Sequence, residues 1–243
     1  MANLLTVVRL GSISYKEGLR QQARHANLVK QGITEGVHRH YLLELEHTPV
    51  YTVGIRSNTV TPEEEARLRA SGADFCRTSR GGLITFHGPG QLVAYPIVSL
   101  RGLREDGGRG KVLGVRKYVE GLEEAIIRTS EAVGVTEVDR REGLPGVWVA
   151  GRRKVASIGV SVQQGVTGHG IALNVDVDLG WFGKIVACGI KDVEVTTLSR
   201  ELSRPLSVAK VAPLFADHFC RVFHLDRRGL DEPDLAEPGY STG

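Results

Sequence analysis

The sequence predicts an α+β fold, in which β-strands are mixed with a few amphipathic helices. Candidate strands are grouped along the chain instead of alternating one by one with helices, and this favours α+β over a repeated βαβ unit. Only a few segments show the 3.6-residue apolar period of a helix. The 243 residues, 41% hydrophobic and 24% charged, are enough for one large domain with a substantial core.

Three strands and two helices are predicted in the first third of the chain. The strands are Leu4–Leu10, His40–Glu46 and Val50–Val53. One helix covers residues 14–31, and its apolar face comprises Tyr15, Leu19, Ala23, Ala26 and Val29. The other begins at Thr61, because threonine caps a helix, Pro62 fits the first helical position and Glu64 completes a capping box.

A long helix, three neighbouring strands and a last helix are predicted in the second half. The long helix covers residues 112–133, and Gly134 ends it. The strands are Val147–Val149, Val155–Val162 and Gly170–Val175. Ser207 caps the last helix, whose apolar face comprises Val208, Val211, Phe215, Phe219 and Val222.

The C-terminal stretch differs from the rest of the chain. From Asp226 onward charged and small residues dominate, and no periodic apolar face continues. Such a segment buries too little apolar surface to fold. We therefore predict one domain at residues 1–224 and a disordered tail at residues 225–243.

Charge and cysteine content narrow the class of protein. A net charge of +3 is too small to indicate nucleic-acid binding. Cys76, Cys188 and Cys220 form no Cys-x-x-Cys pair, so neither a disulfide framework nor a metal site is predicted. The N-terminal apolar run is too short for a signal peptide, and no run of about 20 apolar residues is present to span a membrane. We expect a cytoplasmic protein.

Five cations are concentrated around residue 150, and they are Arg140, Arg141, Arg152, Arg153 and Lys154. A basic cluster of this kind can bind an acidic partner. A run of charges is more often a solvated face, however, and the sequence leaves both interpretations open.

Cys188 and Lys154 are candidate residues for acyl-transfer chemistry. Cys188 stands beside a glycine, and Lys154 lies in a strand-like run. A thiol reacts as the thiolate, and a free cysteine with a pKa of about 8.5 is only a few per cent ionised at neutral pH. A nearby ammonium favours the thiolate, so the two residues would support a thioester if the fold joins them. Alternatively, the cysteine is an inert core residue and the lysine is solvated.

A glycine-rich motif runs from Arg80 to Tyr95. It contains a Gly-Gly turn, a strand ending in Thr-Phe-His, a Gly-Pro-Gly turn, a glutamine and a returning apolar strand. Glycines let the backbone approach a ligand, and His87 at such a turn can donate a hydrogen bond or move a proton. The alternative is a tight hairpin. His47 is interpreted as adjacent to a pocket, and His169 is a further pocket candidate, although a structural role fits His169 equally well.

Four blocks resemble the lipoyl(octanoyl) transferase family, the octanoyl-acyl carrier protein:protein N-octanoyltransferases of lipoate biosynthesis. The blocks are Glu46–Gly54, Arg80–Tyr95, Gly146–Trp148 with Lys154–Gly159, and His169–Asn174 with Cys188 and Gly189. Their order and spacing are similar to the family's over roughly residues 4–224. One departure is Ala187, which stands where the family usually has proline before the cysteine.

The resemblance implies a fold and a set of site residues. The fold is that of lipoate and biotin protein ligases, which is related to class II aminoacyl-tRNA synthetases and has a mixed sheet flanked by helices. Residues 1–224 would form the catalytic domain, with Cys188 and Lys154 as catalytic residues. The implied substrate-binding residues are Arg80, Gly81, Gly82, Leu83, Ile84, Thr85, Phe86, His87, Ser157, Ile158, Gly159, Gly170, Ile171 and Ala172.

The implied reaction transfers an octanoyl group from octanoyl-acyl carrier protein to a lysine of a lipoyl domain, through a thioester on Cys188. The implied acceptors are the lipoyl domains of 2-oxoacid dehydrogenase E2 subunits and the glycine cleavage H protein. Because a thioester is already activated, no ATP, metal or other cofactor is expected.

Three other functions remain open. A lipoate–protein or biotin ligase of the same fold would adenylate a free acid with ATP and would need only the lysine. A related octanoyltransferase would serve the glycine cleavage H protein alone. A non-catalytic module would bind an acyl carrier protein or a lipoyl domain without chemistry, and the presence of both Cys188 and Lys154 argues against it.

Overall fold

The computed structural model describes residues 3–55, 60–108, 110–185 and 194–228. The α-helices in these ranges are α1 (Tyr15–Thr34), α2 (Pro62–Ala70), α3 (Val115–Ala132), α4 (Leu198–Leu202) and α5 (Val208–Phe223), and short 3₁₀ helices cover Leu100–Gly102 and Leu179–Lys184. The strands are β1 (Leu4–Ile13), β2 (Arg39–His47), β3 (Val50–Val53), β4 (Asp74–Arg77), β5 (Thr85–His87), β6 (Gln91–Ile97), β7 (Val138–Arg141), β8 (Leu144–Val149), β9 (Arg153–Gln163), β10 (Val166–Asn174), β11 (Glu194–Val195) and β12 (Asp226–Arg228).

Nine strands in the described part of the chain form one large mixed sheet. Their order is β12-β1-β2-β6-β10-β9-β8-β7, and β11 pairs with β9. β1 runs parallel to β2 and to β12, whereas the neighbours from β2 across to β7 are antiparallel. The α+β class and the mixed sheet flanked by helices are therefore confirmed.

A smaller sheet lies beside the large one and has the order β4-β3-β5. β3 runs parallel to β4 and antiparallel to β5. The turn after β5 leads directly into β6, which is a central strand of the large sheet. The Arg80–Tyr95 motif therefore connects the two sheets, and its glycines lie near the middle of the molecule.

Helices cover both faces of the large sheet. On one face, α3 and α5 build the main apolar cluster, which contains Leu42, Leu122 and Phe215. On the other face, α1 contributes Val29 to a cluster that contains Leu43. Leu42 and Leu43 are consecutive in β2 and point to opposite faces, as the pleat of a strand requires. None of the helices in the described ranges combines the length and apolar character needed to cross a bilayer.

Most predicted elements are present, with their ends shifted by a few residues. Val50–Val53 is a strand, as predicted. The helix expected over residues 112–133 begins at Val115, because Val112 pairs with Arg104 in an isolated β-bridge. The short elements β4, β7, β11, β12 and α4 were not predicted, since two to five residues carry too little periodic pattern.

Regular structure continues beyond the predicted boundary at residue 225. Leu225 is buried, and the next three residues form β12 at the edge of the large sheet. Arg227 also forms an ion pair with Asp217 of α5. Residues 229–243 lie outside the described residues, so for them the disordered tail stays a prediction.

Candidate functional site

One cavity of about 530 Å³ lies between the glycine-rich motif and the centre of the large sheet. Lys154 lines it. The other predicted site residues that line it are Arg80, Gly81, Gly82, Leu83, Ile84, Thr85, His87, Ser157, Ile158, Gly159, Gly170, Ile171 and Ala172. The fold thus joins three sequence blocks, from the motif, β9 and β10, around one space.

Two predicted site residues remain. Cys188 lies outside the described residues, and Phe86 does not line the cavity. Phe86 is fully buried on the other side of β5, because successive side chains of a strand point to opposite faces. Its ring stacks on Trp181 at a centroid distance of 5.0 Å and lies 5.3 Å from Tyr51. Phe86 is therefore a core residue of the small sheet and not part of the cavity wall.

Arg80 connects the glycine-rich motif to the small sheet by hydrogen bonds. Its guanidinium donates from Nη2 to the carbonyl oxygen of Thr52 at 2.7 Å and to the hydroxyl of Thr52 at 2.8 Å. Nη1 donates to the carbonyl oxygen of Gly81 at 3.0 Å. The planar fork of an arginine suits several acceptors held at fixed angles. Arg80 therefore fixes the shape of the loop and places a positive charge at the cavity wall.

Glycines allow the walls of the cavity to approach one another. A Cβ on Gly159 would lie 2.9 Å from the carbonyl oxygen of Gly81, which is closer than a real contact permits. The Gly81 N–H donates to the carbonyl oxygen of Val160 at 3.1 Å, so the motif rests on β9. A Cβ on Gly170 would overlap the carbonyl oxygen of Ala94 in β6. Any side chain at these positions would push the walls apart.

A β-bulge directs Lys154 towards the cavity. In the ladder between β8 and β9, Val147 pairs with Ala156 but Trp148 pairs with Lys154, so Val155 is the extra residue. A bulge bends a strand and redirects its side chains. Val155 and Ala156 are consecutive and both buried in the main apolar cluster, whereas Lys154 lines the cavity.

The surroundings of Lys154 favour a cation. The residue is only 6% exposed. Its Nζ donates to the carbonyl oxygen of Pro145 at 3.0 Å and lies 5.1 Å from the centre of the Trp148 ring. An isolated buried ammonium would be costly, whereas a carbonyl oxygen and an electron-rich ring face both attract it. The geometry therefore holds a positive charge beside an otherwise largely apolar cavity.

The histidines near the cavity have defined tautomers. His47 donates from Nδ1 to the carbonyl oxygen of Ile13 at 3.0 Å and accepts at Nε2 from the Tyr95 hydroxyl at 2.6 Å. The Gln91 amide donates to the carbonyl oxygen of Phe86 at 3.2 Å, so its oxygen faces His87. That oxygen accepts from Nδ1 of His87 at 2.7 Å. The Nε2 atom of His87 is thereby left as a hydrogen-bond acceptor.

His47, His87 and His169 are neutral at physiological pH. Burial lowers the pKa of His47 to about 4, and burial together with the charge of Arg80 lowers the pKa of His169 to about 4. Burial, reinforced by His47 and Arg80, holds the pKa of His87 well below its usual range. His87 lines the cavity as a neutral side chain, and a group with so low a pKa is a poor proton carrier near pH 7.

The basic cluster around residue 150 is largely engaged within the chain. Arg153 forms two hydrogen bonds of 2.8 Å with Glu201. Arg140 pairs with Glu123 at 3.3 Å and with Glu124 at 2.7 Å. Lys154 is buried. The cluster is therefore not one continuous solvated face, and the surface for an acidic partner that the sequence left open is smaller than five cations suggest.

Several wall residues were missed in the sequence, and they are Tyr15, Val93, Tyr95, Val115, Val119, Gly143, Leu144, Pro145 and Val160. Tyr15, Val115 and Val119 belong to apolar helical stripes, which pack against a core in most proteins. A stripe carries no signal that separates a cavity wall from a core contact. His169, a pocket candidate in the sequence, does line the cavity.

Solved structures define the class of fold. The crystal structure of lipoate-protein ligase A bound with ATP is similar with a TM-score of 0.65 and 14% sequence identity, over 96% of this chain and 90% of that one. The biotin protein ligase from Aquifex aeolicus in complex with biotin and ATP has a TM-score of 0.53 and 12% identity, over 90% and 70% of the two chains. The fold is therefore that of the lipoate and biotin protein ligases, as predicted.

Sequence comparisons define the family. The model of the lipoyl protein ligase A/B catalytic domain matches residues 17–220. The mitochondrial octanoyl-acyl-carrier-protein:protein N-octanoyltransferase of Xenopus tropicalis is 46% identical over 89% of this chain and 86% of its own length. The octanoyltransferase of Acidobacterium capsulatum is 41% identical over 98% of both. The chain belongs to the lipoyl protein ligase A/B family and, within it, to the octanoyltransferases.

Proposed function

We propose that this protein is an acyltransferase that moves an octanoyl group from octanoyl-acyl carrier protein to a lysine of a lipoyl domain, through a thioester on Cys188. The observation that carries the proposal is a buried Lys154 on the wall of a largely apolar cavity built by the glycine-rich motif. Relatives at 41% and 46% identity bear the name of this activity. A cavity of about 530 Å³ is within the usual range for a small-molecule site.

In the first step, the Cys188 thiolate attacks the carbonyl carbon of the donor thioester. The bond to the carrier's sulfur breaks, and the departing thiolate takes a proton from the Lys154 ammonium. An octanoyl-Cys188 thioester and a neutral Lys154 remain. Lys154 therefore acts twice in this step, since its charge favours the attacking thiolate and its proton neutralises the leaving one.

In the second step, the ε-amine of the acceptor lysine attacks the thioester carbon. Neutral Lys154 takes the proton that the amine loses, and Cys188 departs as a thiolate. The amide product leaves, and the thiolate and the ammonium are restored together. Protons in this cycle belong to the Cys188–Lys154 pair jointly.

The walls of the cavity supply the remaining functions. Backbone N–H groups of the glycine-rich turns and of the 157–159 segment are candidates to stabilise the tetrahedral oxyanion. Leu83, Ile84, Ile158 and Ile171 provide an apolar surface for the eight-carbon chain. Because the donor is already activated, the reaction as proposed uses neither ATP nor a metal ion.

The proposed partners are octanoyl-acyl carrier protein and the lipoyl domains of 2-oxoacid dehydrogenase E2 subunits and of the glycine cleavage H protein. One structural neighbour is an archaeal bi-partite lipoate protein ligase studied with its E2 lipoyl domain, with a TM-score of 0.65 and 14% identity. A cytoplasmic location also stays a prediction, because the relative from Xenopus tropicalis is named as mitochondrial.

Intact-protein mass after incubation with octanoyl-acyl carrier protein, without ATP, tests the proposal. We expect a single octanoyl adduct on the Cys188 peptide, its transfer to an added lipoyl domain, and no adduct in Cys188→Ala. An adduct on Cys76 or Cys220, or full activity of Cys188→Ala, would refute the mechanism. Transfer from free octanoate that requires ATP would instead assign the protein to the ligases of the same fold.

A further inference from the structure

The peptide group between Pro145 and Gly146 lies between two opposite charges. Its carbonyl oxygen accepts from Nζ of Lys154 at 3.0 Å. Its N–H donates to Oε1 of Glu123 at 3.0 Å. In a planar trans peptide the C=O and the N–H point in opposite directions. A single peptide group therefore has an ammonium at its oxygen end and a carboxylate at its hydrogen end.

Glu123 is placed to fix this peptide group. It lies on α3 and is only 7% exposed. Its second oxygen, Oε2, lies 3.3 Å from Nε of Arg140 in β7. Hydrogen bonds to a charged acceptor are stronger than those between neutral groups. The carboxylate thus orients the peptide, and the orientation of the peptide directs the Pro145 carbonyl oxygen at Lys154.

Gly146 makes this close arrangement possible. Its φ angle is +120°, a conformation that residues with a side chain rarely adopt. A Cβ at this position would lie 2.7 Å from Cε of Lys154 and 2.5 Å from the carbonyl oxygen of Ala156. Strand β8 therefore has room for the lysine stem only because residue 146 is glycine.

Stability alone does not account for a buried carboxylate at this place. Taking a charge out of water is costly, and replacing a buried ion pair by apolar residues of similar volume is often neutral or stabilising. α3 already packs on the sheet through Leu122 and Ile126, which are fully buried. Apolar packing can replace neither the ion pair of Glu123 with Arg140 nor its hydrogen bond to Gly146, and the second of these contacts leads to Lys154.

The geometry points to Glu123 as the positioning residue of Lys154, acting through the Pro145–Gly146 peptide. This inference rests on the proposed function in assigning Lys154 a role in acyl transfer. Glu123 does not line the cavity; it holds the peptide group that holds the ammonium. Loss of Glu123 is expected to release the peptide, and with it the position of Nζ relative to the reacting thiol.

Glu123→Gln and Glu123→Ala, compared with Glu124→Gln, test the inference. Glu124 is the neighbouring residue, and its carboxylate pairs with Arg140 and Arg128. The Gly146 N–H, in contrast, donates to Glu123. Glutamine keeps the shape and one acceptor oxygen at residue 123, and it guards against an outcome in which Glu123→Ala fails to fold. The control removes the same charge one residue away.

We expect Glu123→Ala to slow acylation of Cys188 by octanoyl-acyl carrier protein about tenfold or more, since a misplacement of about 1 Å can cost about 100-fold in rate. Glu123→Gln should show a smaller loss, mostly in kcat, and Glu124→Gln should match the wild type. Alkylation of the Cys188 peptide by iodoacetamide should move to higher pH in both Glu123 variants. Variants of Glu123 that match Glu124→Gln in both assays would overturn the inference.

A readout that is independent of activity separates this inference from the proposed function. Because Nζ of Lys154 lies over the Trp148 ring, 5.1 Å from its centre, we expect the ring to shift the NMR signal of the adjoining ε-methylene group in the wild type. We expect this signal to move towards the position of an exposed lysine in Glu123→Ala and to stay unchanged in Glu124→Gln. An unchanged signal in Glu123→Ala contradicts the inference. If the wild type forms no acyl adduct, the proposed function fails, and the NMR comparison still decides the role of Glu123.

Discussion

The buried ionisable residues around the cavity differ in charge. Burial makes a charged imidazole costly at His47, His87 and His169, and the positive charge of Arg80 adds to the cost at the last two, so all three are neutral. Lys154 is equally buried, but a carbonyl oxygen and an indole face lie against its ammonium. In the proposed mechanism, the Cys188 thiolate attacks in the first step and departs in the second. A cation beside neutral imidazoles suits both steps.

Lys154→Met should move the reactivity of Cys188 to higher pH. A thiol pKa that rises by one corresponds to about 1.4 kcal/mol of lost interaction between the two residues. The measurement is the rate of alkylation of the Cys188 peptide by iodoacetamide between pH values of about 5 and about 9. Coincident profiles for wild type and Lys154→Met would show that the residues do not interact.

Lys154→Arg is the matched variant for this experiment, because it keeps the charge but cannot act as a base near neutral pH. It should retain much of the thiol reactivity and lose acyl transfer to the lipoyl domain. Full transfer activity in Lys154→Arg would show that residue 154 supplies charge alone and takes no proton.

Local signals account for some elements and tertiary contacts for others. Thr61 caps α2 as predicted, and its hydroxyl accepts from the Glu64 N–H at 3.2 Å. Ser14 caps α1 in the same way, by accepting from the Glu17 N–H at 3.2 Å. β12 has only three residues and exists because the edge of β1 offers backbone groups for pairing. Elements of this kind depend on a partner strand and not on their own sequence.

Two truncated chains separate the contribution of β12 to stability and activity from that of the segment that follows it. A chain ending at Arg228 should match the full-length protein in urea unfolding and in octanoyl transfer. A chain ending at Leu225 loses the pairing with β1 and the Arg227–Asp217 ion pair, and we expect it to fold with a free energy of unfolding lower by about 1–3 kcal/mol. It should remain active, because β1 and β2 lie between β12 and β6, and β6 is the nearest strand of this sheet that lines the cavity. Equal stability of the two truncated chains would show that β12 contributes nothing.

The whole molecule buries a set of neutral histidines, and they are His25, His40, His47, His87 and His169. Burial is the main cause of the lowered pKa in each. Their unfolded pKa is about 6.5, so below that pH the unfolded chain binds protons that the folded chain refuses. Glu44 acts in the opposite sense, because burial raises its pKa to about 7 and favours the folded state at lower pH. Because five histidines oppose one glutamate, we expect the effect of the histidines to be the larger.

Apart from the opposing effect of Glu44, stability should change little between about pH 7 and about pH 8, and fall as the pH is lowered from about 6.5 to about 4. His40, whose pKa is lowered to about 4, should alone account for roughly 3 kcal/mol of this loss. Urea unfolding at several pH values measures it. His40→Gln should flatten the slope. An unchanged slope in His40→Gln would mean that this histidine charges in the folded protein.

Local sequence patterns were sufficient to predict the α+β class and the long helices, whereas the list of site residues came largely from the resemblance to the octanoyltransferase family. Apolar period, helix caps and turn residues are local properties, and they are enough for α1, α3 and α5. The residues from Arg80 to His87 were identified because glycines, an arginine and a histidine at these spacings are uncommon. Phe86 was included with them, although the alternation of β5 places it on the opposite face.

The surroundings of Lys154, in contrast, were not predictable from local patterns. Its position depends on a bulge between β8 and β9, on Gly146 with its positive φ in β8, and on a carboxylate from α3. These contacts join residues that are up to about thirty positions apart, and no local pattern connects Glu123 with Lys154. The neutral state of His87 is likewise a consequence of the burial that the assembled sheets impose. Residue types specify which chemistry is available, whereas the packing of distant segments sets the charge and direction of each group.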